Sequence, residues 1–220
     1  MTENFTQNNS PCIKLHFLYI FGILAFVCAA MTIALIVACI VELNLHTFNY
    51  VIKNPYEAYI GAMLVTLPSS MLMLLFYFLW QRSAVLKSFD MLPIEKGLLF
   101  VRSGGILKRA GNSFANMRTL PNVWSDTAEG VWYKNPATYW QLGIGGWFVL
   151  GKIMPKLIGK NPSAEIAGLP IATLGTYLGL SLLLCGCIAT MTLVRHVSAA
   201  MAHAVNNSAT ATQPLFWRRG

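Results

Sequence analysis

The stretch YWQLGIGGWFVLGKIMPKLIGK, residues 139–160, decides how this chain is built. Its first half is apolar enough to enter a bilayer. Its second half carries Lys152, Lys156 and Lys160, one every four residues. If the stretch crosses, the segments on either side of it lie on opposite faces of the membrane. If it rests on the surface, they share one face. The uninterrupted apolar run covers only residues 142–151 and holds four glycines. Apolar runs of about 10–14 residues more often mark interfacial or re-entrant segments than full spans. At 100° per residue the three lysines occupy one arc, with Trp147, Leu150, Met154 and Ile158 roughly opposite, which is the pattern of a helix lying in an interface. Against that, residues 137–154 carry one charge, Lys152, and a lysine near a span end can snorkel. On balance the sequence favours an interfacial or re-entrant segment over 137–160, with a short fourth span as the alternative.

The surroundings leave no such ambiguity. The chain is 55% hydrophobic and 11% charged, against about 25% charged residues in soluble domains. Residues 17–41 run without a charge, and about 20 apolar residues suffice to cross the hydrocarbon core. This run is too long for the apolar region of a signal peptide, and only Lys14 precedes it closely. Residues 58–80 form a second span with Pro68-Ser69-Ser70 at its middle. Proline removes a backbone donor and kinks a helix, and nearby serines can occupy freed carbonyls. Residues 168–194 form a third span, stopped by Arg195 and His196. It contains the GxxxG pair Gly175 and Gly179, and the first span repeats small residues at Ala30, Ala34 and Ala38. Such spacing lets helix backbones approach closely in lipid. The expected fold is therefore an all-α integral membrane protein, with three transmembrane helices plus the segment 137–160. The remaining parts are a polar N-terminal segment (1–16), a hairpin of two spans (17–80), a basic loop (81–136) and a polar tail (195–220).

Charge sets the orientation only in part. The net charge is +8, and cytoplasmic loops carry the excess of Lys and Arg. Loop 81–136 holds eight Lys/Arg (Arg82, Lys87, Lys96, Arg102, Lys108, Arg109, Arg118, Lys134) against Asp90, Glu95, Asp126 and Glu129. It should be cytoplasmic, and the N-terminus with it. Yet the count of inside to outside cations is twelve to four whether or not 137–160 crosses, because the lysine trio trades places with Arg195, Arg218 and Arg219. Under the interfacial reading, 81–160 forms one cytoplasmic face. Arg102, Lys108, Arg109, Arg118, Lys152, Lys156 and Lys160 are then its contacts to anionic lipid or a partner. Ile106, Ala110, Phe114 and Met117 share one helical face there, the pattern of a basic amphipathic helix.

Chemistry is harder to find. None of the three spans contains Asp, Glu, Lys, Arg or His, whereas ion-coupled transport normally uses such groups. Five cysteines, four of them inside apolar runs, do not form a disulfide framework. Cys185 and Cys187 are two apart and point to opposite sides of a helix. Haem would need axial histidines. His16 and His196 share a side only if 137–160 crosses, and histidines at an interface are ordinary, so no cofactor or metal is assigned. Asp126 and Glu129 lie between Trp124 and Trp132, which mark an interface more readily than an active site. No recognition motif or basic run points to nucleic acid. The chain reads as a non-enzymatic subunit of a multiprotein assembly in a bacterial inner membrane, such as a secretion or conjugation machine or a respiratory complex. Its partners would be other membrane subunits and anionic lipids, with a homo-oligomer as a further option. A channel or small-solute transporter is the second reading, and a lipid-modifying membrane enzyme the third.

Overall fold

A computed structural model of the chain describes residues 11–45, 55–91, 116, 119–124, 135–160, 164–166 and 168–211. Two long helices, α1 (Pro11–Leu45) and α2 (Pro55–Met91), come first. A short α3 (Pro136–Trp140) passes through a π-helical turn (Gln141–Gly145) into α4 (Gly146–Lys160). The two-residue strands β1 (Glu165–Ile166) and β2 (Leu169–Pro170) pair antiparallel, Glu165 opposite Pro170 and Ile166 opposite Leu169. Gly168 turns this hairpin at φ 78°, a backbone region that glycine enters without steric cost. The last helix, α5, is Ile171–Ala211. His16–Asn44, Pro55–Ser88 and Ile171–Val205 are each long and apolar enough to cross a membrane. The fold is thus almost wholly helical and supports a multi-pass membrane protein.

The helices outrun the spans read from sequence. α1 begins at residue 11 rather than 17, and α2 continues into the basic loop as far as Met91. α5 passes Arg195 and His196 and runs on through what the sequence suggests is a polar tail. The reason is that span length measures apolar composition, while helix length is set by breakers. No Gly or Pro interrupts residues 81–91 or 188–211. Pro68 likewise leaves α2 continuous. The hydroxyls beside it do bond backbone carbonyls, but those of Ala62, Thr66 and Leu67, at 2.9, 3.1 and 2.8 Å from Thr66, Ser69 and Ser70. The carbonyl deprived of its donor by Pro68 belongs to Leu64.

Contacts along the helices fix their directions. Gly22 of α1 lies against Trp80 of α2 and Val194 of α5. At the other end of α1, Asn44 accepts a hydrogen bond from the Tyr177 hydroxyl at 3.1 Å. α1 and α5 are therefore antiparallel. Met63 of α2 packs at Gly179, while the Trp80 indole donates to Ser198 at 3.1 Å, so α2 and α5 are parallel. The start of α1, the end of α2 and the end of α5 share one end of the bundle, called here the first end.

Residues 136–160 stand along this bundle rather than across its end. The Trp140 indole donates to Thr190 at 2.9 Å. Further on, Gly143 meets Gly186, Gly146 meets Leu182, Leu150 lies at Gly179 and Met154 at Gly175. Ile158 and Ala172 share a small buried cluster. Each step of three or four residues forward in α3–α4 is matched by a step of three or four back in α5, an antiparallel pairing kept over the whole length. From Trp140 to Ile158 that is about 27 Å at 1.5 Å per residue, close to the roughly 30 Å hydrocarbon core. The lysine arc read from sequence is real: Lys152, Lys156 and Lys160 are exposed, and Trp147, Met154 and Ile158 are buried. The face opposite the lysines, however, is covered by α5. Lysines 152–160 consequently sit at the end opposite Arg82 and Lys87. Among the described residues, one helix length therefore separates the lysine trio from Arg82 and Lys87, so these cations do not share the single basic face expected over 81–160.

Two of the glycines that weaken this stretch as an inserter, Gly143 and Gly146, seat it against α5. A Cβ at Gly143 would stand 2.5 Å from the Gly186 nitrogen and 2.7 Å from the Leu182 oxygen. Both obstacles are backbone, so neither can yield without parting the helices. Gly145, with nothing near its Cβ position, is the natural control. Gly143→Val is expected to lower unfolding stability in detergent by about 1–3 kcal/mol, the range for overpacking. Gly145→Ala should stay within about 0.5 kcal/mol, as for unconstrained positions. Equal losses from both would contradict the close approach.

Candidate functional site

Among the described residues, the interior formed by the apolar segments is uncharged. Thr32, Thr66, Ser70, Thr176 and Thr190 are buried, yet their hydroxyls turn to carbonyls of their own helices. The contacts for Thr32, Thr176 and Thr190 are to Cys28, Ala172 and Gly186, at 2.8, 2.8 and 2.9 Å. Such bonds satisfy the hydroxyl proton within its own helix. The one charged residue buried among the described residues is Lys87, in the part of α2 beyond its apolar run.

Toward the first end, aromatic side chains take over the packing. Tyr77 stacks on Trp140 with ring centroids 5.2 Å apart and lies 5.5 Å from Trp80. Three indole N–H groups find hydroxyls on neighbouring elements: Trp80 on Ser198, Trp140 on Thr190 and Trp124 on Ser88, the last at 2.7 Å. Each ties a different element to the bundle. The third fastens helical residues 119–124 of the basic loop onto α2. That loop segment is joined to α3 by Asn135, whose amide donates to Asn122 at 2.9 Å. The Asn135 oxygen caps the Ala137 N–H, with Pro136 at the first helical position. Sequence reading assigned tryptophans to an interface and missed these pairings, because a Trp–hydroxyl pair separated by 50 or 118 residues leaves no local pattern. Trp147 is the exception: its buried indole nitrogen has no hydrogen-bond partner.

Beside this cluster lies the candidate site, a groove of about 550 Å³. One wall is a single stripe of α5 at helical spacing, including Ser181, Cys185, Ile188, Thr192 and His196. The other wall is Tyr139 and Pro136, with Pro121 and Trp124 closing the first end. The lining is almost wholly apolar, within the roughly 300–1,000 Å³ of ligand pockets. Cys185 and His196 both line it but are eleven residues apart on one helix, about 16 Å. They cannot act as a nucleophile–base pair, which needs hydrogen-bond reach. The Cys185 thiol instead lies 3.7 Å from the Tyr139 carbonyl.

The residues singled out from sequence are scattered. Gly175 and Gly179 are spent within the chain, against Met154 and Met63. Ala30, Ala34 and Ala38 are exposed on the outer side of α1. His16, His196 and His203 are exposed. No group of three or more metal-ligating side chains occurs among the described residues. Arg102, Lys108, Arg109, Arg118, the amphipathic face 106–117, Asp126, Glu129 and Trp132 lie outside the described residues. Comparison with known protein families, characterised proteins and solved structures returns no match.

The Trp140–Thr190 bond is a buried polar link between α3 and α5. Trp140→Phe, which keeps the ring stacking on Tyr77, is expected to cost about 1 kcal/mol of stability in detergent, as interhelical hydrogen bonds in membranes do. Near-ultraviolet circular dichroism should keep its aromatic signature. A loss of several kcal/mol would mean that packing rather than the bond fixes this contact.

Proposed function

We propose that the protein is a non-enzymatic, membrane-embedded subunit of a larger assembly, working by helix packing, and that residues 136–160 are its fourth crossing. The antiparallel register of α3–α4 on α5 supports the fourth crossing, since an interfacial helix would lie transverse to its neighbours. Outward-facing Leu142, Phe148, Val149, Ile153 and Leu157 suit contact with lipid. With four crossings, the ends of α1, α2 and α5 that carry Arg82, Lys87 and Arg195 face the cytoplasm under the positive-inside rule. The exposed lysines 152–160 then lie toward the outer surface, where long lysine side chains can snorkel to the headgroups.

The observation that carries the scaffold reading is the pair of small-residue faces and their different fates. The GxxxG face of α5 is filled by methionines of the same chain. The face of α1 with Ala30, Ala34 and Ala38 is turned outward between Val27, Met31, Val37 and Val41. A surface of small residues at four-residue spacing is what a second transmembrane helix packs against. The uncharged interior, with its hydroxyls bonded within their own helices, gives no support to ion-coupled transport.

Purification of the full chain in mild detergent, followed by mass spectrometry, should recover it with other membrane proteins. Ala34→Trp should abolish that recovery while leaving the melting temperature of the isolated chain within about 2 °C, as expected for a substitution that touches no core contact. Unchanged recovery of partners with Ala34→Trp would overturn the assignment of this face. Recovery of the wild type only as a lone homo-oligomer would overturn the subunit reading.

A further inference from the structure

The groove beside α5 has a polarity and a length that point to its occupant. Its α5 stripe runs from Ser181 to Val197, about 24 Å at 1.5 Å per residue. That is one half of a roughly 30 Å hydrocarbon core plus the headgroup layer beyond it. The inner end lies at mid-depth: Ser181 is midway along α5 between Thr190 and Ala172, which meet Trp140 and Ile158 at the two ends of the adjoining helix. The outer end reaches His196, next to exposed Arg195. Apolar lining occupies the part at hydrocarbon depth, and Trp124, a residue type suited to the headgroup zone, closes the far end.

Charge at the two ends of the bundle differs in the same sense. At the first end the described side chains include Arg82, Lys87 and Arg195 and, among them, no acid. At the opposite end Lys152, Lys156 and Lys160 are matched by Glu42, Glu57 and Glu165. The groove therefore opens at the end with the cation excess.

We propose that this groove binds one anionic phospholipid of the adjacent leaflet. An acyl chain lies along α5 between Ser181 and Thr192, and the phosphate lies at the turn carrying Arg195 and His196. The lipid completes the wall between α3, residues 119–124 and α5, and so fastens the loop to the bundle. This site goes beyond the assembly reading and does not depend on it.

The full chain, reconstituted in vesicles of phosphatidylglycerol and phosphatidylcholine with identical acyl chains and then extracted in mild detergent, tests the site by native mass spectrometry. One phosphatidylglycerol should remain per chain. Ile188→Trp, which fills the groove from its exposed side, should abolish retention. Leu72→Trp, the same change on the outward face of α2, should not. Arg195→Gln should lower the preference for phosphatidylglycerol about fivefold, the effect of one basic side chain at a membrane surface. This variant leaves the core untouched and keeps the test decisive should Ile188→Trp fail to fold. Retention of no lipid, equal retention of both lipids by the wild type, or equal loss from Ile188→Trp and Leu72→Trp would overturn the proposal. A peptide from another protein in place of lipid would also overturn it.

Discussion

The close approach of two backbones at Gly143 and Gly186 is the constraint on which the rest of this structure depends. Without side chains at those two positions, the helix of residues 136–160 comes near enough to α5 for the Gly143 Cβ position to fall 2.5 Å from a backbone nitrogen. Once that approach is set, the antiparallel register follows in both directions. Trp140 reaches Thr190 on one side, and Leu150 and Met154 reach Gly179 and Gly175 on the other. In lipid, where apolar surface gains little by leaving its surroundings, close packing and a few interhelical hydrogen bonds supply most of the association energy. The glycine pair provides the first and the Trp140–Thr190 link the second.

α5 is the element that collects the others. One side of it receives α1 and α2, through Val194, Ser198 and Gly179. Another receives α3 and α4. A third stripe is left to the groove. This arrangement explains why a helix so poor in charge still varies in residue size along its length. Glycines sit where neighbours approach, threonines bond backward to their own turns, and leucines fill the spaces. At the first end Trp124 anchors the loop segment 119–124 to Ser88 of α2.

Much of this was legible in the amino-acid order, and the remainder was hidden for identifiable reasons. Residues 17–41, 58–80 and 168–194 announce themselves because apolar length alone identifies a helix able to cross a membrane. Their true ends did not, because Arg195 or Gln81 stops an apolar run without stopping a helix. The arc of Lys152, Lys156 and Lys160 correctly identified which face of α4 is buried. What it could not reveal is whether lipid headgroups or another helix covers that face, since both demand the same periodicity. Of the four glycines in residues 142–151, Gly143 and Gly146 pack closely on α5, so a feature that lowers hydropathy is one that permits tight packing. The groove is built by side chains up to 76 residues apart in sequence, from Pro121 to Val197. It has no motif of its own beyond the ordinary helical spacing of α5.

The central claim is that residues 136–160 traverse the bilayer beside α5, which puts the β hairpin on the same face as the start of α2. Single cysteines introduced as Tyr56→Cys, Glu165→Cys and His203→Cys in a chain with its native cysteines replaced, and reconstituted in sealed vesicles of one orientation, test this directly. A membrane-impermeant maleimide should label Tyr56→Cys and Glu165→Cys from one side and His203→Cys only from the other. Labelling of Tyr56→Cys and Glu165→Cys from opposite sides would contradict the account.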